Sequence, residues 1–405
     1  MKRNAPFPRI TPSLQIVTQR PSKHDPMIVS SFILIAMAMS PNLGHASEGT
    51  DTQLSPSSGY KKGFFIQSKD EKFKLTIQGR VQAKFEYEIL EEDDEAAFSI
   101  ARARMTMKGH VFNKNLKYKF QTDYGKGFVS LKDFLVDYRV MPKTLHLRVG
   151  QGKKPFSRQQ INSSGRLSLV DRSITDKSFG AGRDIGLSLH NNFEKSPTFE
   201  WAFGIYNGTG DKGRLQGKVT TSSGAGEIVS GKFTNVPDVF KPTVVLRLGY
   251  NYGGIKGYSE ADFEGGGLRF GVATSAMIDL DFDDDKDSNF YAQADYILKL
   301  HGFSTTGAYY FKTTQDGEGL TEQSSDRWGA HVQAGYLLMN KYQPMLRYAV
   351  VDADDEKTTE MVLGFSTYFK KHNLKWQTDL AQLSTTENGS TASDYRIRSQ
   401  LQLSF

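Results

Sequence analysis

Arginine recurs in this sequence at alternate positions inside polar–apolar repeats, and that spacing is where chemistry would begin. Arg80, Arg102, Arg104, Arg148, Arg247, Arg269, Arg347, Arg396 and Arg398 share a parity with Lys74, Lys84, Lys108 and Lys375. Successive side chains of a strand point to opposite faces, so these cations fall on one wet face of their ribbons. A cationic lining along an enclosed path attracts and selects anions. One arginine about 7 Å from a passing anion contributes roughly 0.6–2.4 kcal/mol for an effective dielectric between about 80 and 20. Screening limits its reach to about 8 Å at physiological salt, so charges at a narrowing decide selectivity. The competing reading is a solvated lining whose cations are balanced by acids across the path.

Other chemistries are set aside on their spacing. The chain has no cysteine, which removes disulfides and thiolate metal sites. Its histidines show no HExxH or comparable ligand spacing, and His110 and His146 read as lining or turn residues. GTGDKG, with Gly208, Gly210 and Gly213, spells a dinucleotide fingerprint, but no helix follows and Phe233 stands where the ribose acid is needed. DFDDDKD resembles a calcium loop in composition only. Lys286 occupies the required glycine position and Ala292 the bidentate glutamate position. No nucleophile–base pairing is visible, so neither an enzyme nor a cofactor is expected. The formal net charge is +6, of which Lys2, Arg3, Arg9, Arg20 and Lys23 against Asp25 supply +4 within residues 1–46. The near-neutral remainder argues against nucleic acid as a partner.

The elements that must position these cations are strands. In FKLTIQGRVQAKFEYE, Leu75, Ile77, Gly79, Val81, Ala83, Phe85 and Tyr87 alternate with Lys74, Thr76, Gln78, Arg80, Gln82, Lys84 and Glu86. A period of two fits and a helical period does not. ARARMTMKGHV, LHLRVG, VVLRLGYNY and the terminal YRIRSQLQLSF repeat the pattern. Similar signals occupy 116–124, 129–140, 184–191, 198–206, 228–234, 267–273, 289–300, 302–313, 328–338, 343–351, 359–369 and 373–383. These make about 17 candidates, and a single-chain barrel should hold an even number. About 16 strands are therefore expected, with one candidate false or folded into a loop. Aromatics near strand ends (Phe85, Tyr87, Tyr250, Tyr252, Tyr309, Tyr310, Phe369) suggest an interfacial girdle. Short connections such as 111–115, 141–143, 298–302 and 369–373 alternate with longer polar ones at 91–95, 207–227, 279–287 and 313–326. That asymmetry is expected of a transmembrane antiparallel β-barrel. A secreted β-sandwich binding module is the alternative.

Residues 1–46 read as an export signal, with basic residues, the apolar run 28–39 and a small-residue site before Ser47. The start codon is open between Met1 and Met27. Residues 47–72 read as a flexible lead-in and 73–405 as the barrel domain. The barrel's destination is the outer membrane of a Gram-negative bacterium. There Phe405 would present the terminal strand to the assembly machinery, and lipid and lipopolysaccharide would surround the wall.

Between two expected strands lies GKKPFSRQQINSSGRLSLVDRSITDKSFGAGRD, too long for an ordinary turn. With FKLTIQGRVQA, IARARMTMKG, LRVGQGKKPFS, SSGRLSLVDRS and GAGRDIGLSL, it resembles the phosphate-selective porins O and P over about residues 60–405. The resemblance implies a homotrimer of 16-stranded barrels, each narrowed by an inward-folded loop and fed by an arginine ladder. Arg80 and Arg102 match ladder positions, with Arg104 and Arg148 grouped beside them. Ser163, Ser164 and Arg172 match positions that hold phosphate in the phosphate-specific members. Two departures stand out: Gln160 replaces a constriction lysine and Lys132 an aspartate. The implied function is passive diffusion of small inorganic anions, phosphate or polyphosphate among them. A weakly selective general porin is the runner-up.

Overall fold

The computed structural model describes residues 57–90, 94–142, 144–210, 214–222, 225–237, 240–280, 288–315, 325–353 and 356–405. The expected export signal, the acidic stretch 281–287 and the last three residues of GTGDKG lie outside them. Two four-residue strands come first, β1 (Ser57–Tyr60) and β2 (Phe64–Gln67). Then follow β3 (Lys74–Ile89), β4 (Glu95–His110), β5 (Leu116–Asp123), β6 (Ser130–Met141), β7 (Leu145–Lys153), β8 (Arg183–His190) and β9 (Phe199–Tyr206). β10 (Arg214–Ser222) and β11 (Ala225–Thr234) pair only with each other. β12 (Thr243–Tyr252) pairs with β9 and starts the second half: β13 (Arg269–Asp279), β14 (Ser288–Leu300), β15 (Phe303–Gln315) and β16 (Ser325–Tyr336). β17 (Tyr342–Ala353), β18 (Glu356–Tyr368), β19 (Leu374–Glu387) and β20 (Ser390–Ser404) complete it.

β20 pairs back onto β3, from Tyr395 opposite Ile89 to Ser404 opposite Arg80. Sixteen antiparallel strands thus close into a barrel. The expected surplus candidate is 228–234, which falls in β11 of the separate hairpin. At the seam, Phe405 and Gly79 exchange both backbone hydrogen bonds at 3.0 Å. A Cβ on residue 79 would lie 2.3 Å from the Phe405 ring, so Gly79 makes room for the terminal side chain. Within the 47–72 segment, β1 and β2 form a hairpin. β2 continues along the β3 edge beyond Phe405, with Phe64 opposite Ile77 and Gln67 opposite Lys74.

Burial is inverted relative to a water-soluble protein. Leu246, Leu346, Leu363, Leu380, Ile397 and Leu401 are exposed, while Arg247, Arg347, Arg398 and Lys375 are buried. Such a wall is stable where hydrocarbon solvates the outside. Closure and inversion together exclude the sandwich reading. Tyr309 faces out as a girdle residue should, but Tyr310 is fully buried inside. Among the described residues the register shifts three times in the barrel wall, the last between Arg139 and Met141, and the first two reset the parity that simple alternation assumes. At Gln82/Ala83 the partner strand skips Ala101, so Ile100 and Phe98 turn outward. The second lies between Phe120 and Thr122, opposite β6.

Leu363 pairs with Leu346 and Leu380 near the middle of the wall. Leu363→Arg should cost about 2–4 kcal/mol in urea unfolding from lipid vesicles. An unchanged midpoint would mean that this face does not meet hydrocarbon.

Candidate functional site

The segment 154–182, between β7 and β8, turns into the barrel and is fastened there by buried ion pairs. Arg158 donates its backbone N–H and its Nε to Asp295 at 3.1 and 2.8 Å. Arg247 reaches both oxygens of the same carboxylate, at 2.8 and 3.1 Å, and Glu200 at 3.1 Å. The Phe156 carbonyl accepts from Arg247 and Gln293 at 3.2 and 2.7 Å. Phe179 stacks on Tyr310 with ring centroids 5.5 Å apart, and Ser157 bonds the Tyr310 hydroxyl at 2.8 Å. Leu169 packs against Met345, Val362 and Ala381. Farther round the wall, Lys375 donates to the Leu167 carbonyl at 2.6 Å and Arg347 to that of Asp171 at 2.9 Å.

This reassigns much of the expected cationic lining. Arg247, Arg269, Arg347 and Arg398 are buried and bound to Asp295, Asp262, Glu360 and Asp379. They anchor structure instead of meeting a solute. Charge inside a barrel is cheap only when paired, so most rungs found their acids.

Arg80, Arg102 and Arg104 gather where the loop meets β3 and β4. Arg80 donates to Ser163 Oγ at 2.9 Å and to Ser164 Oγ at 3.0 Å. Arg104 also reaches Ser164 Oγ, at 3.3 Å, and binds Asp123 at 2.7 Å. Arg102 bridges Gln82 at 3.2 Å and Asp171 of the loop at 3.3 Å. The closeness is built in: a Cβ on Gly165 would lie 2.4 Å from Arg80 Nη1. Ser163 Oγ accepts from Arg80 and, at 3.3 Å, from the Gly165 N–H, while Ser164 Oγ accepts from two arginines. Each hydroxyl therefore has both lone pairs engaged and its own proton left to donate.

Behind the serines, Lys153 donates to the carbonyls of Gln160, Ile161 and Asn162 at 2.7, 3.0 and 2.8 Å. Arg172 takes those of Gln159 and Asn162 at 2.8 and 3.0 Å. The two cations thus satisfy carbonyls that the four-residue helix Arg158–Ile161 leaves open at its end. Burial lowers the Arg172 guanidinium from its ordinary value, Asp176 opposes that, and the charges of Arg102 and Arg183 add to it. Burial raises Asp176. Burial would also raise Asp171, but Arg102, Arg398 and the Arg172 N–H outweigh it and hold the carboxyl well below its usual range.

The structure thus brings Arg80, Arg104, Ser163 and Ser164 together, with Arg102 and Arg172 at their flanks. The Gln160 backbone serves Lys153, and the Lys132 carbonyl is held by Gln151 at 2.9 Å. The acid that reaches the lumen is Asp133, one residue on, bonded to Lys119 and, at 2.7 Å, to Arg183. Asp133 sits beside the β6 bulge, where counting by twos loses register. Arg148 joins a different network, with Asp137 at 3.1 Å and Glu194 at 2.9 Å.

That network is the one His/Asp group among the described residues whose ligand atoms come within 4.8 Å of one another: Asp137, His146 and His190. His190 Nδ1 accepts the Asn192 N–H at 2.9 Å, so its Nε2 carries the proton donated to Asp137 at 3.0 Å. His146 and Arg148 also donate to Asp137. Three donors on one carboxylate, with the His190 lone pair already engaged, do not fit a metal.

Asp295→Ala leaves Arg158 and Arg247 buried without their shared carboxylate. It should cost about 3–5 kcal/mol in urea unfolding. A wild-type midpoint would show that the pairs do not hold the loop.

Comparison with known proteins follows the same direction. A family model described as phosphate-selective porin O and P matches residues 75–241. An uncharacterized protein of Aquifex aeolicus (strain VF5) is 24% identical over 352 residues, 75% of this chain and 80% of that protein. The outer membrane channel DcaP of Acinetobacter baumannii superposes with a TM-score of 0.57 at 13% identity, covering 85% of this chain and 99% of that one. An anion-selective porin from Comamonas acidovorans gives 0.55 at 12% identity, covering 82% and 99%. At these identities the structural likeness is one of fold. Barrel and family match together make the chain an outer-membrane porin of a Gram-negative bacterium, with residues 75–241 matching the phosphate-selective porin O and P family.

Proposed function

We propose that this porin passes small anions in preference to cations, by recruitment along the β3–β5 wall and partial dehydration at Arg80, Ser163 and Ser164. One observation carries the reading. Arg80 reaches two serine hydroxyls, forms no ion pair with a carboxylate among the described residues, and keeps a buried Nε–H without a hydrogen-bond partner. A guanidinium, two free O–H donors and the flanking Arg102 and Arg104 form a converging donor set. Such a set suits an oxyanion whose several oxygens accept at once. The family match and the anion selectivity of the Comamonas porin point the same way.

Phosphate or polyphosphate is the favoured anion class, with Arg172 and Lys153 contributing charge from behind the serines. Gln160 supplies no cation, and the Arg102–Asp171 and Arg104–Asp123 pairs each return a negative charge to the path. Those pairs favour the second reading, a porin of weak selectivity. Assembly as a homotrimer, with Phe405 read by the barrel assembly machinery and lipopolysaccharide around the wall, completes the proposal on the strength of the family resemblance.

The test is phosphate titration of single channels in a planar bilayer, with Arg80→Gln alongside. Block at sub-millimolar phosphate supports the oxyanion site, and its absence removes it. Loss of one charge should lower the anion-to-cation permeability ratio about threefold to fiftyfold. An unchanged ratio would overturn the role of Arg80.

Gly165→Ala offers an independent reading. Its added methyl group displaces only the end of the Arg80 side chain. Thermal stability should stay near wild type while the phosphate response weakens. A wild-type response would show that Arg80 need not sit there.

A further inference from the structure

The connection 253–268, between β12 and β13, breaks the rule that its end of the barrel carries short turns. That end is marked by 111–115, 301–302, 337–341 and 369–373. The 253–268 segment folds inward instead, and Ile255, Tyr258, Glu260, Ala261 and Asp262 are all buried.

Its lower part is stitched to the turns around it. Asp262 accepts from the Gly302 N–H and from Arg269 at 2.9 Å. The His301 N–H reaches the Gly266 carbonyl at 2.9 Å, and Phe263 stands edge-on to Tyr368 at 4.9 Å. Its upper part is stitched to the constriction loop. Glu260 Oε2 accepts the Ser168 N–H at 2.7 Å, and the Glu260 N–H reaches the Arg166 carbonyl at 3.3 Å. Arg158 donates to the Gly257 carbonyl at 3.1 Å and lies 5.1 Å from the Tyr258 ring centroid. The Tyr258 hydroxyl donates to Glu200 at 2.8 Å and accepts from Arg247 at 3.3 Å.

We propose that segment 253–268 is a brace that sets the constriction from the turn side, with Glu260 as its positioning residue. The argument rests on the porin reading and adds the element that fixes its aperture. Ser164, Gly165 and Arg166 form one helical turn, and its Ser164 hydroxyl accepts from Arg80 at 3.0 Å. The bonds from Glu260 take hold at its last residue, Arg166, and two residues on, at Ser168. The wall holds the same stretch from the other side, with Gln402 on the Gly165 carbonyl at 3.1 Å and Lys375 and Ser366 on the carbonyls of Leu167 and Ser168 at 2.6 Å, and the brace supplies the opposing grip on the Ser168 N–H and the Arg166 carbonyl. Glu260 acts through Ser168 and Arg166, and itself need not touch a solute.

The experiment is single-channel recording of the full-length protein with Glu260→Ala, Glu260→Gln and Tyr258→Phe, after heat-modifiable gel migration confirms each barrel. Wild type should show one steady open level. Glu260→Ala should lose it, giving flickering sub-levels. Glu260→Gln should restore it, because the amide oxygen still accepts the Ser168 N–H. A steady wild-type level in Glu260→Ala would overturn the proposal, as would failure of Glu260→Gln to restore it. If Glu260→Ala does not fold, Tyr258→Phe decides: it keeps the ring against Arg158 and removes the hydroxyl bonds. Flicker supports the brace and a steady level overturns it. A wild-type protein that did not conduct would instead refute the porin reading itself.

Discussion

A barrel wall is one residue thick, and hydrocarbon claims one of its two faces. The backbone must then be satisfied within a closed sheet, and every charged side chain on the strands must turn inward. The remaining architecture follows from that confinement. Leu346, Leu363 and Leu380 form an outer surface, while Arg347, Glu360 and Asp379 are packed inside. The closing bonds between Gly79 and Phe405 meet the same demand at the seam.

Confinement has a second consequence. Cations pushed into a narrow interior are stable only beside acids or carbonyls, so the interior divides the labour of its arginines. Those facing β12–β20 are consumed in holding the loop: Arg247 with Asp295, Arg347 with Glu360, Arg398 with Asp379. Those on β3 and β4 meet the loop through serine hydroxyls and single carboxylates. The proposed anion path lies along the second group. A buried ion pair is weak evidence for stability in itself, but breaking one leaves a bare charge. That asymmetry is why the loop stays down.

Much of this was legible in the sequence, because period-two patterning is the direct image of a wall with lipid outside. The alternation in 73–88 and 395–405 locates β3 and β20, the strands that close the barrel. The excess candidate at 228–234 also alternates, and only pairing shows that it belongs to a separate hairpin. The loop declared itself by length and charge, and Arg80, Ser163 and Ser164 do converge. What stayed hidden depends on register and on partners. The resemblance aligns Lys132 with an aspartate, and beside the β6 bulge the next residue, Asp133, is the acid that meets Lys119 and Arg183. Parity marks Arg80 and Arg247 identically, since it reports a face and not the carboxylates that await each side chain. The 253–268 brace carries no alternation at all; its one signal is the glycine-rich, aromatic run GGIKGYSEADFEGGG between two good strands.

The central claim is that the arginines gathered around Ser163 and Ser164 make the path favour anions. The most direct measurement is the reversal potential of the wild-type channel in a KCl gradient across a planar bilayer. The account predicts a value displaced toward the chloride equilibrium potential. A value on the potassium side would contradict it, whatever the conductance.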